Sequence, residues 1–325
     1  MLELNKNLLI NGVKYYAARR PSGTVTPTTS YQYLTVDRFC QKYTGTITTP
    51  TVEAATDFPN TKAPWCSKYT GTTAAGSSIS EQQRIEADFG LELIGDYISF
   101  LGFVTSTSYQ TVTINIGYAT LKDNHAAQTL LFTKAFTIAV DGSVQTLSWP
   151  KIASLTSLIS TGLYVEIVLS NPSNTSTSST HRIGGMSLVR GRYCPTETIL
   201  AARSLQDELR YCQRYYEKSY DMLTAIGTAT TTGMVAPTLT GQTASITIAG
   251  SVSFIVRKRA TPLTTCFNPI GGTNSWFFWT GSSGYAVPTI VSAEASFTVA
   301  HNAINSSGRT QAVGSGGHFT ATAEL

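Results

Sequence analysis

Charge is what this 325-residue chain has least of: Asp, Glu, Lys and Arg together make up 13% of it, about half the share usual in soluble proteins. Disorder is excluded, because disordered chains need many charges and few aromatics, whereas aromatic residues here reach 10%. The 23 basic side chains exceed the 19 acidic ones by only 4, and the excess is dispersed, so no nucleic-acid partner is expected. No apolar run approaches the roughly 18 residues of a membrane-spanning helix. The first ten residues lack a basic stretch, a long apolar stretch and a small-residue cleavage site, so no export signal is expected. The five cysteines, Cys40, Cys66, Cys194, Cys212 and Cys266, include no CxxC pair and have no histidine neighbour. That spacing disfavours a disulfide framework and a zinc site, and reduced, mostly buried thiols are expected. The four histidines, His125, His181, His301 and His318, fall in no metal-ligand spacing, so neither a metal nor a cofactor is expected.

Small hydroxylated residues fill the place of the missing charge: serine and threonine number 83. With Gly, Val, Ile and Tyr they favour half-buried pleated surfaces, and the composition points to an all-β fold. Asn11-Gly12 reads as a turn, and a segment with Pro21, Gly23 and Pro27 follows it. Strand-like runs are predicted at 36–43, 78–89, 97–104, 111–116, 131–140, 164–169 and 186–189, separated by Asp141-Gly142 and by the polar tract 170–180. Short strands at regular spacing with Gly, Asn and Ser turns describe a jelly-roll β-sandwich. One helix is predicted from Leu205 to about Lys218: Ser204 stands three residues before Asp207 as a cap, and Leu205, Leu209, Cys212 and Tyr216 share a face. Strand signals resume at 244–248, 251–256, 296–299 and 318–321. The predicted organisation is a jelly-roll sandwich over 1–195, a linking helix over 196–220 and a smaller β-sandwich or barrel over 221–325. The basic cluster Arg257-Lys258-Arg259 follows the strand-like Phe254-Ile255-Val256 and reads as a solvated strand end. No repeat of fixed period is present.

No catalytic constellation stands out. There is no GxSxG elbow and no phosphate-binding loop. The densest acidic group, Glu81, Glu86, Asp88 and Glu92, supplies the carboxylates a glycosidase would need, but Glu86 and Asp88 beside Arg84 read as a charge-balanced strand face. The protein is therefore expected not to be an enzyme. Aromatics are the stronger lead, since their faces stack on the C–H faces of sugar rings. Trp276, Phe277, Phe278, Trp279 and Tyr285 are the candidate contact residues. In a strand, Trp276 and Phe278 point one way and Phe277 and Trp279 the other. One pair is expected in the core, and the other faces a neighbouring subunit or a glycan.

At the helix, Glu208-Leu209-Arg210-Tyr211-Cys212-Gln213-Arg214-Tyr215-Tyr216-Glu217-Lys218-Ser219-Tyr220 resembles the ELxLCQRYYEKSY signature of tailed-bacteriophage virion structural proteins of the tail fibre or head fibre type. Asn7-Leu8-Leu9-Ile10-Asn11-Gly12, Phe254-Ile255-Val256-Arg257-Lys258-Arg259-Ala260-Thr261-Pro262 and Phe319-Thr320-Ala321-Thr322-Ala323-Glu324-Leu325 match the same group in order along the chain. The resemblance implies an amino-terminal sandwich similar to carbohydrate-binding modules, a linking helix and a second β domain. It also implies self-association, commonly as a homotrimer, other capsid, tail or baseplate proteins as partners, and host surface glycan as a ligand. The implied location is the virion, after folding in the host cytoplasm. Two departures stand out: Asp37-Arg38-Phe39 replaces the group's Asp-Arg-Trp, and 13–22 does not follow its aromatic-rich pattern.

Overall fold

The computed structural model describes residues 7–12, 14, 16–19, 24–59, 64–170, 177–191, 204–237, 246–279, 283–303 and 314–324. Two compact units divide it, Met1–Leu209 with Leu325, and Arg210–Glu324. The division falls inside the helix that the sequence places between the domains; residue 195 lies outside the described residues.

The first unit is a sandwich built from β1 (Cys40–Thr44), β2 (Ile47–Ala55), β3 (Cys66–Thr73), β4 (Ser78–Ile85), β5 (Ile98–Ser106), β6 (Thr111–Leu121), β7 (Asn124–Thr137), β8 (Gln145–Ile152), β9 (Leu163–Ser170) and β10 (Thr177–Arg190). They form two five-stranded sheets, in the orders β1-β4-β9-β6-β7 and β2-β3-β10-β5-β8, with antiparallel pairing throughout. This is the jelly-roll layout that the strand pattern predicted. Alternation decides the faces: Ile79, Ile85, Val112, Ile114, Ile116, Val165, Ile167 and Leu169 of the first sheet enter the core, with Phe100, Val104, Ile183 and Leu188 from the second. The short helix α1 (Ala87–Leu91) follows β4. Glu86 and Asp88 therefore do not share a strand face: Glu86 is buried before the helix, and Asp88 is exposed and paired with Lys122 at 3.0 Å.

Glu81, a member of the same acidic group, is fully buried. Its place on β4 points between the sheets, where Lys14 Nζ donates to Oε1 and neither side chain is exposed. Lys14 gives its other two protons to Ser67 Oγ (3.2 Å) and the Ile183 carbonyl (2.8 Å), while Tyr69 O–H donates to Glu81 Oε2 at 3.1 Å. Every donor of the buried ammonium is thus used, the condition under which a charge survives inside a core. Burial pulls the Lys14 pKa below its usual value, and Glu81 opposes that shift.

Helix α2 (Leu205–Gln213) begins as predicted, with Ser204 Oγ accepting from the Asp207 N–H at 3.1 Å and donating to the Asp207 carboxylate at 2.7 Å. It ends earlier than its apolar stripe predicts. Tyr216–Lys218 is instead strand β11, paired with residues 320–322. The second unit continues with β12 (Ile246–Ser253), β13 (Leu263–Phe267), β14 (Trp276–Trp279), β15 (Ser283–Ala286), β16 (Thr289–Ser292), β17 (Ser296–Ala303), β18 (Gly314–Gly316) and β19 (His318–Thr322). These make three three-stranded sheets, β11-β19-β13, β12-β17-β16 and β15-β14-β18, around a core of Phe254, Cys266, Trp276, Phe278, Phe297, Val299 and Phe319. The chain is all-β with two short helices among the described residues.

Lys258 corrects the reading of the basic cluster. Phe254-Ile255-Val256 is not a strand, and Lys258 folds inward onto Glu217 at 2.5 Å with both side chains buried. Arg257 alone matches the solvated reading, exposed and paired with Glu294 at 2.6 Å. Cys40, Cys66, Cys212 and Cys266 are buried as expected. Burial pushes the Cys66 and Cys266 thiols up to about 12, and Cys194 lies outside the described residues.

Candidate glycan-contact face

The core-facing rows of the first sheet leave the alternate residues on its outer face. Cross-strand register aligns Lys42 with Ser80, Val168 and Thr113 in one row, and Cys40 with Gln82, Glu166, Asn115 and Thr133 in the next. Arg84, Tyr164 and Gly117 form the row beyond. Gly117 is required here: a Cβ would lie 2.6 Å from the Tyr164 hydroxyl and 2.2 Å from the Thr129 carbonyl. Its missing side chain lets the Tyr164 ring lie across β6.

Glu166 organises this face. Tyr31 O–H donates to Oε1, Asn115 Nδ2 donates to Oε2 at 3.0 Å, and Thr133 O–H donates to Asn115 Oδ1 at 2.9 Å. Asn115 is thereby held in one orientation. Gln82 and Gln128 exchange amide hydrogen bonds at 3.1 and 2.9 Å, and Arg84 Nε donates to Gln82 Oε1 at 3.0 Å. Burial, reinforced by the Glu166 charge, pushes the Tyr31 phenol well above its usual pKa and that of Tyr164 up to about 12. Both stay protonated as donors at neutral pH.

Tyr31 and Tyr33 reach the face because Gln32 pairs with Gln41 through both backbone hydrogen bonds, at 3.0 and 2.8 Å. Lys42 Nζ lies 4.2 Å from the Tyr31 ring centroid, the Arg84 guanidinium 5.5 Å from Tyr31 and 6.0 Å from Tyr33, and that of Arg19 5.5 Å from Tyr33. All are within cation–π reach. Thr113, Asn115, Thr133, Ala135 and Val168 keep solvent access. Chemically the face offers fixed hydroxyl, amide and cationic groups, with Glu166 the one carboxylate among the described residues of these rows. Among the described residues, no three His, Cys, Asp or Glu side chains group as a metal site.

The sequence-predicted aromatics lie in the second unit. Trp276 and Phe278 are core residues, and Gly317 makes room for the Trp276 ring, since a Cβ there would lie 2.7 Å from it. Phe277 and Tyr285 face each other across β14 and β15, with ring centroids 5.7 Å apart, and Tyr285 is exposed. Trp279 ends the same strand, and its side chain lies outside the described residues. Sequence reasoning missed Tyr31, Lys42, Arg84, Asn115, Thr133 and Glu166. One signal was available: Glu166 interrupts the apolar run Leu163-Tyr164-Val165-Glu166-Ile167-Val168-Leu169, which marks its parity as outward.

No family model and no curated protein matches the chain. Several solved structures resemble part of it. One, described as the structural basis for the promiscuous specificity of carbohydrate-binding modules from the β-sandwich superfamily, matches at 12% identity and TM-score 0.35, over 51% of this chain and 63% of that one. The match thus spans less than two thirds of that structure. The family 11 carbohydrate-binding module of the cellulase Lic26A-Cel5E of Clostridium thermocellum matches at 9% identity and TM-score 0.31, over 52% of this chain and 95% of that one. The N-terminal CBM22-1-CBM22-2 tandem domain of Paenibacillus barcinonensis Xyn10C matches at 8% identity and TM-score 0.30, over 94% of this chain and 92% of that one. The β-sandwich assignment itself rests on the strand order and register of this chain.

Proposed function

We propose that this protein is a non-enzymatic structural subunit of a tailed-phage virion, a tail or head fibre that attaches to host-surface glycan or decorates the particle. The outer face of the β1-β4-β9-β6-β7 sheet is its glycan-contact surface. One observation carries the glycan reading: Asn115 and Thr133 are open to solvent, yet Glu166 fixes Asn115 and Asn115 in turn fixes Thr133. Preordered amide and hydroxyl groups on a rigid sheet suit sugar hydroxyls, because little ordering entropy remains to be lost on binding. The virion reading is supported by the four motifs, which run in order from Asn7 to Leu325. The protein acts at the particle surface after folding in the host cytoplasm.

The test is a glycan array and a bacterial-cell binding assay with the purified full chain. Binding that falls about tenfold in an Asn115→Ala/Thr133→Ala variant supports the assignment, since each lost hydrogen bond is worth about 0.5–1.5 kcal/mol. Failure to bind any cell or polysaccharide refutes attachment. Imaging of intact particles tests the virion reading separately, with labelled protein at a fibre or on the head surface as the supporting outcome.

A further inference from the structure

Cross-strand register places two further rows of outward residues beside the row of Asn115 and Thr133. Across β9, β6 and β7 the rows read Ser170, Thr111 and Thr137, then Val168, Thr113 and Ala135, then Glu166, Asn115 and Thr133. The first of them continues onto β4 and β1 as Ser78 and Thr44, whose hydroxyls are hydrogen-bonded at 2.7 Å. Five adjacent strands thus each place a hydroxyl side chain in one line, and every residue of that line is accessible to solvent.

The three rows on β9, β6 and β7 differ in chemistry. The outer line offers only hydroxyls. The middle row is Val168, Ala135 and the threonine Thr113, small side chains with methyl groups and no ring. The third offers the Asn115 amide and the Thr133 hydroxyl. Glu166 is the one charged residue of the nine; it is 8% exposed, with one oxygen taken by Tyr31 and the other by Asn115. A ligand laid on these rows therefore meets a low apolar strip between two polar borders, with no ion to pair and no aromatic face to stack on.

We infer that the ligand of this face is an uncharged, extended polysaccharide of equatorially hydroxylated pyranoses that lies across β9, β6 and β7. Its ring faces rest on Val168, Thr113 and Ala135, and its ring-edge hydroxyls reach the polar row on either side. The inference rests on the glycan-binding reading above and names the class of glycan and its direction. Strands lie about 4.8 Å apart and alternate residues of one strand about 7 Å apart, so the strip is about as wide as one ring and two or three rings long. A pyranose carries C–H groups on its faces and equatorial hydroxyls at its rim, which matches an apolar strip with polar borders. An axial hydroxyl would be pressed onto the apolar row without a partner and would lose its bonds to water. Contacts of this kind are insensitive to salt, because no pair of ions is there to be screened.

The experiment is calorimetric titration of the full chain with cello-oligosaccharides of one to six rings and with mannotetraose, whose hydroxyl at C2 is axial, at low and at high sodium chloride. Thr111→Val/Thr137→Val removes two hydroxyls of the outer line while keeping the shape of both side chains, and thermal melting checks that it folds. Support consists of affinity that rises about tenfold or more from cellobiose to cellotetraose, levels off beyond it, ignores salt and is about tenfold weaker for mannotetraose. It should also fall about tenfold in Thr111→Val/Thr137→Val, the effect of two lost hydrogen bonds. Equal binding of glucose and cellotetraose marks recognition of a single sugar and overturns the inference, as does equal binding of mannotetraose. Both comparisons use the parent protein and decide the matter even where the variant fails to fold; a folded variant with unchanged affinity also overturns it. Cello-oligosaccharides that fail to bind, while the glycan array yields ligands lost in Asn115→Ala/Thr133→Ala, overturn this class of glycan and leave the glycan face standing. Absence of binding to the oligosaccharides and to the array overturns both.

Discussion

Lys14 and Glu81 form an ion pair sealed between two sheets, so their value lies in being satisfied together. Glu81→Gln leaves a buried ammonium without its counter-charge, and a loss of about 3–5 kcal/mol is expected in urea unfolding of the variant. The double variant Lys14→Met/Glu81→Leu removes both charges and should recover most of that loss. His181 gives a second residue-level prediction. It is buried, stacks on Tyr109 at 4.0 Å and faces Ser106 Oγ through Nδ1 at 3.0 Å, and burial pushes its pKa down to about 3. In the unfolded chain it titrates near 6.5, so between pH 6.5 and about 3 the unfolded state binds the extra proton. Stability therefore falls as pH drops through that window, by up to about 1.4 kcal/mol per pH unit from this group. Thermal melts of His181→Asn against the parent should show a shallower acid slope.

Strands resolve into those that sequence pattern reveals and those it conceals. The alternation in Thr111-Val112-Thr113-Ile114-Asn115-Ile116 located β6. Strands β2 and β8 escaped notice because each carries a proline, Pro50 and Pro150, which reads as a breaker. Both are edge strands, and both have register irregularities beside the proline, where a missing N–H costs the ladder little. The overlong helix has a different cause. The stripe fails at both ends: Leu205 is exposed, and Tyr216–Lys218 gains a ladder with β19, a partner more than a hundred residues away that no local pattern reports. At this scale Gly117→Ala is the informative variant. Its methyl group would meet a backbone carbonyl and the Tyr164 hydroxyl, so a loss of about 1–3 kcal/mol is expected on denaturation. Glycan binding should weaken with it as the β6 face distorts.

At the scale of the whole molecule, low charge takes on meaning. Phe277 and the exposed Tyr285, Val287 and Val291 of the second unit agree with the self-association implied by the phage-family motifs, since stable interfaces are depleted in charge at their centres. Light scattering after size-exclusion chromatography should give a trimer at micromolar concentration. A strict monomer under those conditions would refute the self-association that the motifs imply.

Composition and strand periodicity were enough to establish an all-β chain with a capped helix near residue 205, because hydrophobic alternation and N-capping are local and written in neighbouring residues. The candidate face was decided by tertiary structure. Glu166, Asn115 and Thr133 lie on three different strands, and Tyr31 joins them only through the pairing of Gln32 with Gln41. The fates of Lys14 and Lys258 were decided in the same way. A lysine in a sequence reads as solvated, and only the fold shows a buried carboxylate waiting for each.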